Sequence, residues 1–269
     1  MPIRLAVAGV TGRMGQALVR AARAAGDLEV AAGVARHQVG EDAGLAAGVG
    51  PIGVRVAARL APELERTRPD VLVELSTAEA APEHVEAALT RGIPAVVGTT
   101  AIPEDVLARL EAMARERRLG LVVAPNFALG AVLMMRFAAE AARYLPDVEI
   151  IELHHAGKLD APSGTALETA RRIQAGRDAA RAEAAAAGGA EVPAAPARGA
   201  WVEGVPIHSV RLPGLVAHQE VIFGTEGQTL RIRHDATGRE AFMPGLLLAI
   251  RRVRELDGPV RGLEPILFA

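Results

Sequence analysis

Short apolar runs alternate with amphipathic segments along the first half of the chain. The apolar runs predict strands at residues 3–9, 30–34, 71–75, 95–97 and 121–124. The amphipathic segments predict helices at residues 13–24, 82–89 and 104–117. Buried strands that alternate with helices at this spacing are typical of βαβ units, which form a parallel sheet covered on both faces. The Gly-rich residues 36–52 are predicted to form a loop.

The pattern changes after residue 126, where the regular alternation of strand and helix ends. Helices are predicted at residues 130–145, from 165 onwards and at 239–256, the last interrupted near Pro244. Strands are predicted at residues 148–153, 205–214, 219–224 and 228–235, and the last three are expected to be antiparallel. The second half of the Ala-rich residues 178–200 is predicted to be a surface loop. The fold class is therefore α/β, with a second domain of α+β type whose final helix returns to the first domain.

Composition narrows the range of functions. The 269 residues are 50% hydrophobic and carry a net charge of −2, which is typical of a globular protein long enough to be an enzyme. With one Trp, one Tyr and five Phe, the chain lacks the aromatic platforms of a nucleic-acid binder. It has no cysteine, and no apolar run approaches the roughly 20 residues of a membrane span. We expect a cytoplasmic protein with no nucleic-acid or membrane partner, and the first nine residues are too short for a signal peptide.

A glycine-rich motif, 9-GVTGRMG-15, lies between the first predicted strand and the first predicted helix. Glycines at such a turn allow a close backbone approach, and the amide groups of the helix N-terminus can then hold a pyrophosphate. The motif departs from G-x-G-x-x-G at Thr11, and its alternative interpretation is a turn that merely requires glycine. The candidate dinucleotide-binding residues here are Gly9, Val10, Thr11, Gly12, Arg13 and Met14.

The end of the second strand bears on the choice of cofactor. Sites for NAD usually place an acidic residue there, against the ribose 2′-hydroxyl. This chain has Ala35 and Arg36 instead, and an arginine can pair with the 2′-phosphate of NADPH. We therefore expect NADPH to be preferred, with NADH possible as a second cofactor. The alternative is that Arg36 is a solvated arginine with no ligand.

Small and hydroxyl-bearing residues recur where the later strands end. Ligands of open α/β sheets bind beyond the carboxyl ends of the strands, where such residues leave room for a flat ring. Ser76 and Thr77 follow the strand predicted at residues 71–75. The segments 98-GTT-100 and 124-APNF-127 lie at the ends of the strands predicted at residues 95–97 and 121–124. The additional cofactor candidates are Gly98, Thr99, Thr100, Ala124, Pro125, Asn126 and Phe127.

The segment 153-LHHAGKLDAPSGTALETA-170 contains Lys158, the only lysine among the 30 basic residues. His154 and His155 can exchange protons near neutral pH, and lysine, unlike arginine, can lose its proton when desolvated. Ser163, Gly164 and Thr165 open a helix, whose free N-terminus beside an ammonium would receive a carboxylate, and Thr165 with Glu168 fits a capping box. The alternative is a satisfied strand end with a surface lysine. No metal is expected, because adjacent strand residues point to opposite faces and no third ligand is apparent.

The quoted motifs resemble one family along the full length of the chain. GVTGRMG, the central GTT, APNF and above all 154-HHAGKLDAPSGTA-166 resemble the 4-hydroxy-tetrahydrodipicolinate reductases, also called dihydrodipicolinate reductases. The resemblance implies NAD(P)H-dependent reduction of a cyclic dicarboxylate, 4-hydroxy-tetrahydrodipicolinate, through dihydrodipicolinate to tetrahydrodipicolinate in the diaminopimelate route of lysine biosynthesis. It also implies a homotetramer. Residues 1–126 and 237–269 would form a Rossmann-like dinucleotide-binding domain, and residues 127–236 a smaller domain for substrate binding and tetramerisation.

The resemblance also implies roles for individual residues. His154 matches the catalytic proton donor or acceptor and Lys158 a second proton donor, while the reasoning from residue chemistry leaves open whether Lys158 moves a proton or holds a charge. His155, Gly164 and Thr165 match contacts to a substrate carboxylate, and Ser163 adjoins them. The chain departs from many members at Ala35, which puts efficient NADH use in doubt, and at residues 74–76, where a change confined to packing is expected.

Two other functions are compatible with the same two-domain organisation and motifs. One is a different NADP-dependent dehydrogenase, which would act on another carbonyl or imine. The other is a dinucleotide sensor that binds NADPH without consuming it, although the cluster of two histidines and Lys158 argues against that.

Overall fold

The computed structural model describes residues 1–183 and 196–269. These residues form two compact units. The first unit consists of Met1–Phe127 and Phe242–Ala269, and the second of Ala128–Ala241. The expected fold class is confirmed, because the first unit contains a parallel sheet with helices and the second a separate mixed sheet.

The first unit is built on a seven-stranded sheet in which every pair of neighbours is parallel. Its strands, numbered with those of the second unit in chain order, are β1 (Ile3–Ala8), β2 (Leu28–Val34), β3 (Val56–Ala57), β4 (Val71–Glu74), β5 (Ala95–Val97), β6 (Leu121–Val123) and β12 (Pro259–Arg261). They lie in the order β12-β6-β5-β4-β1-β2-β3. Leu5, Val73 and Val96 are fully buried, as expected for strands whose two faces are both covered.

Helices of the first unit include several that the hydrophobic pattern predicts. The helices of this unit are α1 (Arg13–Ala25), α2 (Ala43–Ala46), α3 (Leu60–Thr67), α4 (Ala81–Thr90), α5 (Glu104–Arg117), α8 (Met243–Arg252) and α9 (Glu264–Leu267). The pattern predicts α1, α4, α5 and the region of α8, but not α2, α3 or α9. The prediction of a loop over residues 36–52 was wrong at α2, whose single turn is too short for a periodic pattern. Asp42 caps α2, and its Oδ1 accepts hydrogen bonds from the N–H groups of Gly44 (2.8 Å) and Leu45 (3.2 Å).

The predicted interruption near Pro244 has a different form in the structure. Residues Arg239–Phe242 form a 3₁₀ turn, and Pro244 stands in the first turn of α8. Proline is well tolerated there because the first N–H groups of a helix have no partner within the helix. Pro244 therefore marks the start of α8, which lies in the first unit.

The described residues of the second unit form a five-stranded sheet and two α-helices. Its elements are α6 (Leu129–Ala141), β7 (Asp147–His154), α7 (Gly164–Glu183), β8 (Ala200–Val202), β9 (Val205–Arg211), β10 (Ala217–Thr225) and β11 (Gln228–Ala236). Apolar residues from one face of the sheet, among them Ile150, Ile207 and Phe223, form a core with Met134 of α6 and Ile173 of α7. The predicted loop in the second half of residues 178–200 lies largely outside the described residues.

The strand order in the second unit is β11-β10-β7-β9-β8. The hairpin of β10 and β11 is antiparallel, as predicted. The expectation for residues 205–214 was wrong in part, because β9 is antiparallel to β8 but parallel to β7. A parallel pair needs a long crossover connection, and α7 lies in the segment that joins β7 to β9. This register places Arg211 of β9 beside His154 of β7.

No helix among the described residues is both long enough and apolar enough to cross a lipid bilayer.

Candidate active site

Strand β7 carries two polar residues, Glu152 and His154, on the face that is apolar in the rest of the strand. Alternate residues of a strand share a face, so both follow Val148 and Ile150 toward the side that α6 and α7 cover. Oε2 of Glu152 lies 2.5 Å from Nδ1 of His154. The histidine side chain keeps 14% of its surface exposed, whereas the glutamate is fully buried. The buried glutamate therefore holds the imidazole in place, while the imidazole remains partly exposed to solvent.

Arg211 completes the surroundings of Glu152. Its Nη1 donates to Oε2 at 2.9 Å and its Nη2 to Oε1 at 2.7 Å, so the guanidinium binds the carboxylate with two parallel hydrogen bonds. Burial alone would raise the pKa of Glu152. Hydrogen bonds from His154, Arg211 and Ser209 outweigh that effect and lower the pKa to about 2. Glu152 is consequently a carboxylate at neutral pH.

The contact with Glu152 determines which nitrogen of His154 is available. A carboxylate accepts, so Nδ1 is the nitrogen that carries a proton toward Glu152. Nε2 is the ring nitrogen that this contact does not use. The arrangement can hold an imidazole in one orientation and stabilise the imidazolium that forms when Nε2 takes a proton.

Lys158 lies in the loop that follows β7. Its Nζ lies 2.7 Å from Oδ1 and 2.9 Å from Oδ2 of Asp160, which forms an ion pair with both carboxylate oxygens. The hydrogen bond from Lys158 is the main reason why the pKa of Asp160 is lowered. Nη2 of Arg211 donates to the carbonyl oxygen of Asp160 at 2.7 Å, which ties this loop to β9. Lys158 and His154 are thus both linked to Arg211 through acidic residues.

Reasoning from the sequence missed three members of this network, Glu152, Asp160 and Arg211. The sequence did contain a signal for Glu152. It lies on the inward face of an alternating strand, where a carboxylate requires a polar partner, and His154 lies two residues later on the same face. Arg211 could not be placed, since its partner depends on the parallel register of β7 and β9.

Ser163, rather than Thr165, caps helix α7. The helix begins at Gly164, and Oγ of Ser163 accepts a hydrogen bond from the N–H of Ala166 at 3.2 Å. The predicted capping box was wrong, because Thr165 lies within the first turn and Glu168 binds Nε of Arg172 at 2.9 Å. Gly164 is exposed and a side chain there would meet no atom within 4 Å, so this helix end is open to a ligand.

The glycine-rich turn of the first unit fits a dinucleotide. Gly9 has φ +78°, and a Cβ there would lie 2.5 Å from the carbonyl oxygen of Leu75. A Cβ at Gly15 would lie 2.2 Å from the carbonyl oxygen of Gly9, so positions 9 and 15 of the turn are packed too closely for a side chain. Helix α1 begins at Arg13 without a side-chain cap, and Gly12 and Arg13 are exposed. An uncapped helix N-terminus with exposed residues is suited to binding a pyrophosphate.

The strand-end segments lie together at one edge of the parallel sheet, because β4, β5 and β6 are neighbours. A Cβ at Gly98 would lie 2.8 Å from Leu75 and 3.1 Å from Phe127, so the three segments are in contact. Arg36 is exposed two residues beyond the end of β2. The pKa of Glu79 is lowered mainly by a hydrogen bond from Thr77, and the charge of Arg36 adds to this.

The carboxylate of Glu74 joins two of these segments. Its Oε1 accepts hydrogen bonds from the N–H of Ser76 (2.7 Å), the hydroxyl of Ser76 (2.5 Å) and the hydroxyl of Thr99 (3.2 Å). Its Oε2 lies 2.7 Å from Nδ1 of His84. Glu74 and Ser76, which lie where the chain departs from many family members, therefore form hydrogen bonds in addition to packing contacts.

The predicted site residues divide cleanly between the two units. Every candidate for cofactor binding lies in the first unit, and every candidate for catalysis or substrate binding lies in the second. Within the residues that the structure describes, no group of three His, Cys, Asp or Glu side chains could hold a metal ion.

Comparison with known proteins identifies the family. The family model described as "Dihydrodipicolinate reductase, N-terminus" matches residues 3–127, and the one described as "Dihydrodipicolinate reductase, C-terminus" matches residues 130–267. The chain belongs to the dihydrodipicolinate reductase family. The resemblance inferred from the motifs is thereby confirmed over nearly the whole sequence.

Individual members of the dihydrodipicolinate reductase family match the chain from end to end. The 4-hydroxy-tetrahydrodipicolinate reductase of Moorella thermoacetica is 50% identical and covers 98% of each chain. That of Geobacillus kaustophilus is 47% identical over 99% of this chain and 100% of its own. The structure of dipicolinate-bound dihydrodipicolinate reductase from Paenisporosarcina sp. TG-14 superposes with a TM-score of 0.83 at 41% identity, covering 99% of this chain and 100% of the other.

Proposed function

We propose that this chain reduces 4-hydroxy-tetrahydrodipicolinate, through dihydrodipicolinate, to tetrahydrodipicolinate with NAD(P)H, in the diaminopimelate route of lysine biosynthesis. The observation that carries the proposal is the imidazole of His154, held by the buried Glu152, in a chain of this family. The direct test is substrate-dependent oxidation of NADPH or NADH by the purified protein.

The first unit supplies the residues for the cofactor. When bound, a nicotinamide cofactor supplies the hydride. The amide groups of Gly9–Met14 at the start of α1 would hold its pyrophosphate. The segments Gly98–Thr100 and Ala124–Phe127, which meet around Gly98, would receive the nicotinamide and its ribose.

The second unit supplies the residues for a small cyclic dicarboxylate. The ammonium of Lys158, with His155, would bind one carboxylate of the substrate. The first-turn amide groups of α7, at Ser163, Gly164 and Thr165, would bind the same carboxylate. The related Paenisporosarcina reductase holds dipicolinate in its structure, which supports a ligand with two carboxylates.

His154 is proposed to deliver the proton. Hydride addition to the conjugated ring leaves an electron-rich enamine, and one proton must be added to carbon to complete the reduction. Nε2 of His154 would donate that proton, and Glu152 would hold the ring and stabilise the imidazolium that exists before transfer. The proton would return to Nε2 from solvent, to which the His154 side chain is partly exposed.

Lys158 is proposed to act through its charge, because its ammonium already forms an ion pair with Asp160. Lys158→Arg is expected to keep kcat and KM close to wild type, whereas Lys158→Met is expected to raise KM by about 10- to 100-fold through the loss of a charged hydrogen bond. Steady-state kinetics measures both. A collapse of kcat in Lys158→Arg with an unchanged KM would show instead that Lys158 moves a proton, since a guanidinium stays charged.

Arg36 is proposed to favour NADPH over NADH by pairing with the 2′-phosphate. Arg36→Ala is expected to lower the ratio of kcat/KM for NADPH to that for NADH by about tenfold, as one charge-assisted contact is lost. Glu79→Gln should move the ratio in the opposite direction, because the Glu79 carboxylate lies within the field of Arg36 and competes with a phosphate. Unchanged ratios in both variants would leave Arg36 as a solvated residue.

A homotetramer is proposed from the family, with the second unit as its contact region. The face of the five-stranded sheet turned away from α6 and α7 carries half-buried apolar residues, namely Ile151, Leu153, Val210 and Ile222. A second copy of the chain could cover them. Light scattering should give four times the mass of one chain, and Ile151→Lys should reduce it.

A further inference from the structure

Glu74 is a buried acidic residue of the first unit that the proposed chemistry does not use. It is the last residue of β4, and its side chain is fully buried. A buried carboxylate is costly unless hydrogen bonds replace its water, and here Ser76, Thr99 and His84 provide them. Ser76 follows β4 and Thr99 follows β5, at the edge of the sheet where the cofactor is proposed to lie, whereas His84 lies in α4. Glu74 is thus placed to affect the cofactor site.

The hydrogen bonds to Glu74 define what Ser76 and Thr99 can offer to a ligand. A hydroxyl has one hydrogen to donate and two lone pairs to accept. Both hydroxyls donate their hydrogen to Oε1 of Glu74. Toward any other partner they can therefore only accept. The contact of His84 with Oε2 holds the carboxylate in the orientation that keeps Oε1 toward them.

We propose that Glu74 is a positioning residue that fixes the Ser76 and Thr99 hydroxyls as acceptors for the carboxamide N–H of the nicotinamide cofactor. The inference rests on the proposed cofactor site. A carboxamide carries two N–H donors, which require acceptors in a site that excludes water. If the carboxylate is removed, the hydroxyls are free to rotate and present their own hydrogens to the carboxamide nitrogen. Selectivity for the carboxamide is then lost.

The test compares binding of NADPH with that of its reduced 3-acetylpyridine analogue, in which a methyl group replaces the carboxamide NH₂. Isothermal titration calorimetry gives both dissociation constants without turnover. The wild-type protein is expected to bind NADPH about tenfold more tightly than the analogue, as one or two hydrogen bonds are lost. Glu74→Leu and Ser76→Ala should bring the two constants close together. Glu74→Gln should retain the preference, because its amide oxygen can accept the same two hydroxyls.

Glu111→Leu is the matched control. Glu111 is another nearly buried glutamate of the first unit, and it binds Nε of Arg261 at 2.5 Å, not the strand-end segments. This variant should keep the wild-type preference for NADPH over the analogue. Ser76→Ala removes a single oxygen and keeps the test decisive even where Glu74→Leu does not fold.

Two outcomes would overturn the inference. One is a wild-type protein that binds NADPH and the analogue equally well. The other is a Glu74→Leu protein that binds both ligands more weakly by the same factor. That result would show that Glu74 only holds the segments that follow β4 and β5 together. A wild-type protein that binds neither dinucleotide would instead contradict the proposed function itself.

Discussion

Replacing His154 with asparagine is expected to lower kcat by about 10²- to 10⁴-fold, the usual contribution of a general acid. The asparagine amide can occupy the position of Nδ1 and keep the hydrogen bond to Glu152. It has no counterpart of Nε2, from which we propose that the proton is delivered. Binding of NADPH, whose proposed residues lie in the other unit, should be unaffected.

His208→Asn is the matched control for this variant. His208 is also a strand histidine of the second unit paired with a glutamate, since its Nε2 lies 2.8 Å from Oε2 of Glu149. His208 and Arg211 are three positions apart in β9, so their side chains lie on opposite faces of the sheet. Steady-state kinetics should show a near-normal kcat for His208→Asn. A near-normal kcat for His154→Asn would rule out His154 as the proton donor.

Replacing Glu152 with leucine is expected to lower the free energy of unfolding of the second unit by about 3–5 kcal/mol. The guanidinium of Arg211 would lose its two hydrogen bonds to the Glu152 carboxylate, and because only 18% of its side chain is exposed, a largely buried charge would be left without its counter-ion. Trp201, the only tryptophan in the chain, lies in β8 of the second unit, so its fluorescence in urea reports on this unit.

A double-mutant cycle separates the interaction from the loss of either side chain. Arg211→Met alone should also destabilise the unit, and the double variant should lose less than the two single variants together. Additive losses would show that Glu152 and Arg211 do not stabilise one another.

The pH dependence of stability provides a second measure of Glu152. Its pKa is about 2 in the folded chain and 4.5 in the unperturbed state, so ionised Glu152 stabilises the fold above the higher value. This contribution, about 3 kcal/mol, is lost as the pH falls from 4.5 toward 2. Wild type should therefore lose more stability over this range than Glu152→Gln. Parallel curves would contradict the lowered pKa.

The sequence was informative where rare residues stand close together along the chain. Lys158 and His154 could be selected because a single lysine beside two histidines is an unusual combination in this composition. The residues that contact them could not be predicted from the sequence, for a physical reason. Arg211 is more than fifty positions away, and its contact with Glu152 depends on a parallel strand pair.

The fold was predictable where apolar periodicity runs over several turns, as in α1 and α5. Strand β3 has only two residues, too few for a pattern, and β12 consists of a proline, a valine and an arginine, so it lacks the apolar run that made β5 and β6 predictable. Helix α2 depends on one side chain, Asp42, which also accepts hydrogen bonds from the N–H groups of Ile52 (3.0 Å) and Gly53 (2.8 Å). Contacts of this kind arise from the folded loop, and local composition does not reveal them.

The most direct test of the proposed function is an assay with freshly generated 4-hydroxy-tetrahydrodipicolinate, in which the absorbance of the reduced nicotinamide is followed. We expect oxidation of NADPH that requires both the substrate and the wild-type His154, and slower oxidation of NADH. Tight binding of NADPH without consumption would contradict the proposal and indicate a dinucleotide sensor. Consumption with another carbonyl or imine but none with this substrate would contradict it in favour of a different dehydrogenase.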